Sequence, residues 1–380
     1  MVSRRVFFII SSRVLNEKFM ISQRAMIKLF QPYVSPLARK MVQRVLSGIW
    51  LAEGPVVKDF EKEFAKKFNL KNVVAVNSGT SALELAYELA GIGPGDEVIA
   101  PVLTCVITNI PLVRRGAKII FSDIDYDLNP NITDIKIKTT PKTKAIIFVH
   151  FGGNNRGLKE LLAFCRRRNI ILIEDSAQAV GSDFWGKADF SIISLQATKT
   201  ITSGDGGFLI CKNKKDCEKA KRLRWFGYDR DKKQKLAGAG LIDIDLKEAG
   251  YKYQMSDVTA SIGIGNLLSI DPIIAHNKRL QRIYHSYGFE SHGYITIGFT
   301  DDYKKLKVAY AKEGIEIGRS IFRNDAYTLF KGFKSKCPIM DELENKYFFV
   351  PCHHGIPEKT AHKIGKIYAK YNLSLNLKYA

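Results

Sequence analysis

Short, mainly apolar runs recur between residues 73 and 195, separated by polar stretches long enough to form helices. These runs occur at 73–76, 117–121, 144–149, 169–173 and 190–195. An apolar run of four to six residues is typical of a strand that is covered on both faces, as in a parallel sheet. A further strand is predicted at 96–101, where Pro101 favours the strand end. We therefore expect βαβ units around a mainly parallel sheet.

Helical periodicity is clearest in the phenylalanines. Phe60, Phe64 and Phe68 recur every four residues, which predicts an amphipathic helix packed on the core. A second helix, rich in basic residues, is predicted at 276–284. Since 380 residues exceed the size at which one hydrophobic core usually stops growing, we expect one large and one smaller domain.

Two reactive side chains follow neighbouring predicted strands. Asp175 comes just after the run 169–173, and Lys199 comes shortly after the run 190–195. Because ligands bind outside the carboxyl ends of parallel strands, both side chains are expected at one crevice. A desolvated lysine forms a Schiff base with an aldehyde such as pyridoxal phosphate, and a carboxylate keeps the pyridine nitrogen of that cofactor protonated. Taken singly, each residue is more typical of an ordinary role, Lys199 as a surface lysine and Asp175 as a strand-end cap.

A turn that could bind the phosphate of such a cofactor lies upstream. The strand predicted at 73–76 is followed by Asn-Ser-Gly-Thr-Ser at 77–81 and then by a helical pattern. Backbone N–H groups and the positive end of the helix dipole bind anions there, and Gly79 allows a phosphate to approach closely. Serine and threonine are also ordinary N-caps. The turn is therefore informative mainly because it precedes the segments of Asp175 and Lys199 in the chain.

Three motifs together carry a resemblance to a known family. They are Asn-Ser-Gly-Thr-Ser-Ala-Leu at 77–83, Glu-Asp-Ser-Ala-Gln-Ala at 174–179, and Ser-Leu-Gln-Ala-Thr-Lys-Thr-Ile-Thr-Ser-Gly-Asp-Gly-Gly at 194–207. In this order they resemble the DegT/DnrJ/StrS family of pyridoxal-phosphate-dependent sugar aminotransferases. The resemblance implies an α/β fold, a three-layer αβα sandwich of the aspartate-aminotransferase type (PLP fold type I) with a smaller C-terminal α+β domain. The implied division is a large PLP-binding domain at 27–275 and a small domain at 276–380.

The resemblance implies roles for the matching residues. Lys199 would be the Schiff-base lysine and the acid and base that moves the proton between the substrate carbon and the cofactor. Asp175 would pair with the pyridinium nitrogen, and Gln178 would hydrogen-bond the ring hydroxyl. The implied phosphate contacts are Gly79, Thr80 and Ser194, with Ser81 as a further donor.

Two positions depart from the family pattern. Cys105 stands where an aromatic residue often stacks on the cofactor ring, so packing of the ring must come from another group. Lys252 stands where the family usually has an asparagine that reaches the phosphate of the neighbouring subunit. A lysine either replaces that hydrogen bond with a charge contact or leaves the contact absent. The family arrangement implies a homodimer with shared active sites.

The function that the resemblance implies is transamination, with glutamate as the donor and a keto group of a nucleotide-linked deoxysugar as the acceptor. A sugar dehydratase of the same family is the main enzymatic alternative, and Lys199 counts against it because histidine replaces the lysine there. The connection at 287–310 is shorter than is usual in the family. Candidate substrate contacts are Thr104, Arg323, Tyr327 and His353, with solvated surface or local pairing as the alternative for the last three.

The formal net charge of +21 suggests a different class of partner. A strongly basic chain can bind nucleic acid, which keeps a cofactor-free basic nucleic-acid-binding or regulatory relative as a further alternative. However, lysine and arginine are scattered, acidic residues are interleaved with them, and no helix-turn-helix or zinc-finger pattern occurs. We therefore favour a diffuse charge without a nucleic-acid partner.

The location is expected to be cytoplasmic. Residues 1–26 are interpreted as an extension outside the core, since their apolar run at 6–10 is too short for the h-region of a signal peptide. No later run reaches the roughly 18–20 apolar residues of a membrane span. The six cysteines contain no C-x-x-C pair, which favours reduced thiols. Cys-His-His at 352–354 lacks a second ligand cluster at zinc spacing, so no metal is expected.

Overall fold

A seven-stranded sheet forms the centre of the larger part of the protein. The computed structural model describes residues 26–230, 232 and 245–371, so the predicted extension lies, apart from Met26, outside the described residues. The strands are β1 (Val73–Val76), β2 (Glu97–Pro101), β3 (Lys118–Ser122), β4 (Thr143–Val149), β5 (Ile171–Asp175), β6 (Phe190–Ser194) and β7 (Gly207–Cys211).

The order of these strands across the sheet is β1-β7-β6-β5-β4-β2-β3. Strand β7 runs antiparallel to both of its neighbours, and the other neighbouring pairs are parallel. The prediction of a mainly parallel sheet is thus confirmed. Strand β5 continues two residues beyond the predicted apolar run, because Glu174 and Asp175 still pair with Phe148 and Val149 of β4.

Helices cover both faces of this sheet and give three layers, as expected for PLP fold type I. The phenylalanine stripe is confirmed, since Phe60 and Phe64 are fully buried with ring centroids 4.8 and 4.2 Å from that of Phe208. The next residue of β7, Leu209, belongs to the core on the opposite face. The helices are α1 (Pro36–Leu46), α2 (Pro55–Lys67), α3 (Gly79–Leu89), α4 (Ile110–Arg114), α5 (Ile132–Lys138), α6 (Leu158–Arg168), α7 (Lys214–Leu223) and α8 (Asp257–Leu267).

A three-stranded antiparallel sheet, in the order β10-β9-β8, organises the C-terminal part. We propose a division into a large domain at 27–275 and a small domain at 276–380. Helix α9 crosses residue 275 without a break and would link the two domains. The connection 287–310 contains β8 and β9. The elements are α9 (Asp271–His285), β8 (Glu290–Ser291), β9 (Thr296–Phe299), α10 (Tyr303–Lys312), α11 (Pro338–Leu343), β10 (Tyr347–Val350) and α12 (Glu358–Tyr371).

The segment before β10 packs back on the large sheet. Phe330 is fully buried with its ring centroid 5.9 Å from that of Phe121 in β3. The Asp123 carboxylate, just after β3, accepts the N–H groups of Ile339 and Met340 at 2.9 and 3.0 Å. These two N–H groups belong to the first turn of α11, where a carboxylate is a favourable partner. The C-terminal part is therefore anchored to the edge of the sheet that carries the crevice.

Helices α1 and α8 pack closely against each other. A Cβ atom added at Gly265 would lie 2.4 Å from Ala38 Cα, so the contact leaves no room for a side chain. Ser35 Oγ, at the N-cap of α1, also donates to the Gly265 carbonyl at 2.9 Å.

We expect Gly265→Ala to lower the free energy of unfolding by about 1–3 kcal/mol, because the added methyl group must push two backbones apart. Gly93→Ala is the matched control, since a Cβ there has nothing within 4 Å, and its effect should stay within about 0.5 kcal/mol. Urea unfolding of both variants gives the comparison. Equal effects of the two substitutions would contradict the proposed close contact.

Candidate functional site

A cradle for an anion is formed where β1 passes into α3. Ser78 caps the helix by accepting the N–H of Ser81 on its hydroxyl at 3.0 Å. The first N–H groups of an α-helix have no partner within the helix, and here they belong to Gly79 and Thr80 beside the end of β6. A Cβ at Gly79 would lie 3.0 Å from Ser194 Cβ. The structure thus brings Gly79, Thr80 and Ser194 together, and their role as phosphate contacts stays a prediction.

The side chain of Ser81 has a different environment. It is buried, its hydroxyl donates to Asn77 Oδ1 at 2.6 Å, and it lies 2.9 Å from Ser78 Oγ. A hydroxyl has one proton to donate, and that of Ser81 is used within the turn. In this structure Ser81 thus stabilises the shape of the cradle, and its role as an additional phosphate donor stays a prediction.

The predicted cofactor acid lies at the carboxyl end of β5. Asp175 is buried, with Oδ2 accepting the Thr108 hydroxyl at 2.8 Å and Oδ1 accepting the Ala177 N–H at 3.2 Å. Its register partner Ile192 lies in the parallel strand β6, two residues before Ser194. The acid and the cradle therefore share one edge of the sheet, as parallel strands require.

The neighbouring carboxylate, Glu174, has a structural role. It is fully buried and accepts Nε2 of His150 at 2.9 Å together with backbone N–H groups of 186–188. Burial by itself raises the pKa of Glu174, but the hydrogen bonds from His150, Lys187 and Gly186 outweigh burial and hold this pKa below its usual value. Glu174 thus ties β5 to the turn that leads into β6.

Gln178 is oriented by the chain behind it. Its Oε1 accepts the N–H of Gly152 at 2.8 Å, and the side chain is buried. With the oxygen used, the amide nitrogen supplies the donors. This orientation fits the predicted contact with the hydroxyl of a cofactor ring.

Lys199 lies in a loop closed at its base by backbone hydrogen bonds from Leu195 to Gly206 and from Ser203 to Leu195. Its side chain is half-buried, and Nζ lies 4.6 Å from the centroid of the Tyr294 ring, a cation–π arrangement. Tyr294 comes from the segment before β9 and was not found from the sequence, because no local pattern connects it with a lysine 95 positions earlier.

Tyr294 is itself fixed on two sides. Its ring stacks on that of Phe30 with centroids 5.7 Å apart, and its hydroxyl lies 3.0 Å from Thr198 Oγ1. The Thr198 hydroxyl also donates to Gln196 Oε1 at 2.7 Å, so the Tyr294 hydroxyl is the donor to Thr198. The lysine loop and the C-terminal part of the chain therefore meet at Tyr294.

Lys252 is exposed, and its backbone lies at the entry to the cradle. Its carbonyl accepts Nδ2 of Asn77 at 3.2 Å, and the next residue, Tyr253, accepts the Asn77 N–H at 2.8 Å. The backbone of this segment thus lies beside the cradle, while the Lys252 side chain is free to extend towards solvent or a second subunit.

Three of the four substrate candidates have local partners. Thr104 is buried, with its hydroxyl 3.0 Å from that of Thr108. Arg323 is paired with the carboxylates of Asp325, Asp341 and Glu344, and these pairs raise its pKa against the opposing effect of burial. Thr104 and Arg323 thus have structural partners in this structure, and their assignment as substrate contacts stays a prediction.

His353 and Tyr327 differ in accessibility. Tyr327 is exposed, so it remains available to a ligand. His353 lines a small cavity of about 20 Å³ together with Lys199 and Tyr294. Its Nε2 donates to the Lys28 carbonyl at 3.0 Å and its Nδ1 accepts the Gly355 N–H at 3.2 Å. Both ring nitrogens are used, so His353 holds the wall of the cavity.

The described residues fit pyridoxal phosphate. A Cβ at Gly207 would lie 2.7 Å from the Gly79 nitrogen, so the cradle is built around backbone and has room for an anion only while glycine is kept. A buried carboxylate, an amide with free donors and a half-buried lysine stand at the same edge. Cys105 is exposed and supplies no aromatic face.

Within the described ranges, no group of three or more histidine, cysteine, aspartate or glutamate side chains is placed to hold a metal ion. Over the same residues, no single helix is long and apolar enough to cross a membrane. Helices α8 and α9 meet the length and composition criteria only as a pair, and they are bent by 60° relative to each other.

Comparison with known proteins identifies relatives over most of the chain. The model of the DegT/DnrJ/EryC1/StrS aminotransferase family matches residues 34–363. The spore coat polysaccharide biosynthesis protein SpsC of Bacillus subtilis is 32% identical over 312 residues, which cover 80% of this chain and 80% of the relative. The dTDP-4-dehydro-2,3,6-trideoxy-D-glucose 4-aminotransferase of Saccharopolyspora spinosa is 31% identical over 269 residues, 68% of this chain and 70% of the relative.

Solved structures agree with the fold. AtS13 from Actinomadura melliaura superposes with a TM-score of 0.84 and 29% identity, covering 91% of this chain and 98% of that chain. The sugar aminotransferase CalS13 from Micromonospora echinospora gives a TM-score of 0.84 with 26% identity, covering 91% of this chain and 100% of that chain.

The buried His353 predicts a pH-dependent stability. Burial lowers its pKa to about 4, whereas the unfolded value is near 6.5, so the unfolded state binds the proton more tightly. Stability contributed by neutral His353 is present above about pH 6.5 and is lost as the pH falls towards 4. We expect His353→Gln to be less stable than the wild type at pH 7 by about 1–2 kcal/mol.

The difference in free energy of unfolding between His353→Gln and the wild type should shrink as the pH is lowered from 7 to 4.5. Urea unfolding at both pH values measures it. His362→Gln, at an exposed histidine, is the control and should follow the wild-type pH dependence. A constant difference between His353→Gln and the wild type across this range would contradict the assignment.

Proposed function

Because the chain belongs to the DegT/DnrJ/EryC1/StrS aminotransferase family, we propose that it transfers an amino group from glutamate to a keto group of a nucleotide-linked deoxysugar. Membership of this family indicates pyridoxal phosphate as the cofactor. The observation that carries the proposal is the convergence of Lys199, Asp175 and the Gly79 cradle on one edge of the sheet. The named dTDP-sugar aminotransferase among the relatives supports a nucleotide-linked acceptor.

The proposed site would hold the cofactor at its phosphate group and at its pyridine ring. The N–H groups of Gly79 and Thr80 and the Ser194 hydroxyl would bind the phosphate, where the α3 dipole favours negative charge. The Asp175 carboxylate would hold the proton on the pyridine nitrogen, and the Gln178 amide would donate to the ring hydroxyl. When bound, pyridoxal phosphate supplies an aldehyde for the amine and a ring that withdraws electrons from the substrate carbon.

Lys199 is the residue assigned to proton movement. In its neutral form the Nζ atom would accept a proton from the substrate carbon, and in its charged form it would return a proton to the cofactor. The Tyr294 ring lies against the ammonium form, which keeps the side chain beside the site while it is not covalently engaged. The loop 195–206 limits the distance over which the lysine can move.

We also propose a homodimer with shared active sites. The consecutive side chains of Ile49, Trp50 and Leu51 are exposed, an apolar patch that a second copy of the chain would cover. Glu53, just after this patch, pairs with Arg224 at 2.8 Å. The next residue, Trp225, forms a bridge with Lys252, so the patch and Lys252 lie on connected segments.

A cytoplasmic location is proposed because all six cysteines are free thiols, which is typical of proteins in reducing compartments.

The proposal is tested by the visible absorption of the purified protein with added pyridoxal phosphate, followed by addition of glutamate. We expect a visible absorption band from the lysine-bound form of the cofactor, which disappears with glutamate and returns with a nucleotide-linked ketosugar. Lys199→Ala should keep the wild-type unfolding temperature but form no such band. Lys118→Ala, at an exposed lysine of β3, should behave as the wild type.

Each other outcome has a distinct meaning. A band that does not respond to glutamate would favour another donor or the dehydratase reaction. No band in the wild type would contradict the proposal, and salt-dependent binding of nucleic acid would then be the property to test. Loss of the fold in Lys199→Ala would show that this lysine is structural.

Mixed dimers test whether the sites are shared. Lys252→Ala should weaken cofactor binding by about five- to tenfold through loss of a charge contact. In a hybrid of a Lys199→Ala subunit and a Lys252→Ala subunit, the site that keeps Lys199 should bind the cofactor with wild-type affinity, because Lys252 of the other subunit completes it. Persistently weak binding in the hybrid would show that Lys252 serves the cradle of its own chain.

A further inference from the structure

Thr108 occupies a position between the two ends of the proposed cofactor site. It is fully buried at the end of a short 3-10 turn, Val106–Thr108. Its hydroxyl donates to Asp175 Oδ2 at 2.8 Å. Its carbonyl accepts the hydroxyl of Tyr87 at 2.8 Å. Since Tyr87 belongs to α3, the helix whose first turn forms the cradle, Thr108 connects that helix to the acid on β5.

The proton positions around Thr108 can be assigned. A threonine hydroxyl has one proton, and an ionised carboxylate only accepts. The Thr108 proton therefore goes to Asp175, and the Thr104 hydroxyl, 3.0 Å from Thr108 Oγ1, must donate its own proton to Thr108. The result is a directed chain from Thr104 through Thr108 to Asp175, in which each hydrogen bond polarises the next.

Tyr87 remains protonated in this arrangement. Burial raises its pKa well above the usual value, and the negative charge of Asp175 raises it further. The phenol is therefore a permanent donor to the Thr108 carbonyl, and the contact between α3 and the turn does not change with pH in the physiological range.

A residue from the C-terminal part holds the other side of the turn. Asn324 is fully buried, its Nδ2 donates to the Thr104 carbonyl at 2.8 Å, and its Oδ1 accepts Nδ2 of Asn109 at 2.9 Å. The backbone N–H of Asn324 also donates to the Val102 carbonyl at 2.7 Å. The turn that carries Thr108 is thus clamped at both ends.

We propose that Thr108 is a positioning residue that orients the Asp175 carboxylate towards the cofactor ring, with Thr104 as its donor and Asn324 as its clamp. The proposal rests on the proposed function, since it assigns a role towards pyridoxal phosphate. It follows from a buried hydroxyl that donates to Asp175, the carboxylate proposed to face the ring nitrogen. A bond from a neutral hydroxyl to a charged acceptor is stronger and more directional than one between neutral groups.

Thr108→Val tests this role, because valine keeps the shape of threonine and removes the hydroxyl. We expect the dissociation constant for pyridoxal phosphate to rise about tenfold, as expected for the loss of a hydrogen bond to a charged group. The visible band of the bound form should also shift or weaken, because the carboxylate is no longer fixed. Thr108→Ser should restore the affinity to within about threefold, since serine keeps the donor.

Thr143→Val is the matched control. Thr143 is a buried threonine whose hydroxyl accepts the Thr140 N–H at 2.9 Å at the start of β4, at the opposite end of the sheet from the site. The Thr143→Val variant should have an unfolding temperature lowered about as much as that of Thr108→Val, and its affinity for pyridoxal phosphate should be unchanged. If Thr108→Val does not fold, Thr104→Val removes the donor to Thr108 and should raise the dissociation constant about two- to fivefold.

The outcomes separate this inference from the proposed function. A wild type that binds pyridoxal phosphate while Thr108→Val binds it equally well, with an unchanged band, would overturn the role of Thr108 and leave the function standing. A wild type that captures no cofactor would overturn both. Weaker binding in Thr108→Val, rescue by Thr108→Ser and no effect of Thr143→Val would establish the positioning role.

Discussion

The close approach of three backbone segments at Gly79 and Gly207 is the constraint on which the site depends. Strand β7 lies between β1 and β6, and at Gly207 it leaves no side chain between the start of α3 and the end of β6. A Cβ at Gly207 would lie 2.7 Å from both the Gly79 nitrogen and the Ile193 carbonyl oxygen. Without these two glycines, the helix start and Ser194 would be forced apart, and the first-turn N–H groups would no longer face an anion together with that hydroxyl.

Buried polar groups then fix how β5, the turn before β6 and helix α3 are oriented relative to one another, which apolar packing alone does not specify. Glu174 accepts hydrogen bonds from His150 and from the turn at 186–188, so β5 and the approach to β6 move as one unit. Such a buried carboxylate would be costly without partners. Asp175 follows immediately, and its orientation passes through Thr108 to Tyr87 on α3. The strand that carries the acid and the helix that carries the cradle are thereby joined by hydrogen bonds as well as by the core.

Two arginine side chains are paired with carboxylates inside the fold. Arg224 is buried between Glu53 and Glu61 at 2.8 and 2.6 Å, and Arg323 has three carboxylate partners. The large formal charge therefore overstates the number of cations that a ligand can meet. Among the candidate lysines, Lys252 is exposed and Lys199 is half-buried.

The sequence by itself determined six of the seven strands of the sheet, the phenylalanine-lined helix and the expectation that Asp175, Lys199 and the Gly79 turn share one edge, because periodicity and strand ends are local properties. Strand β7, which runs antiparallel to its neighbours and supplies Gly207, was not predicted. Only the tertiary structure decided which hydroxyls and guanidinium groups are free, since hydrogen-bond partners such as Asn324 for the Thr104 segment are 220 positions apart. It also supplied Tyr294 beside Lys199 and Thr108 beside Asp175. The proposed roles of both residues follow from distances that exist only after the chain has folded.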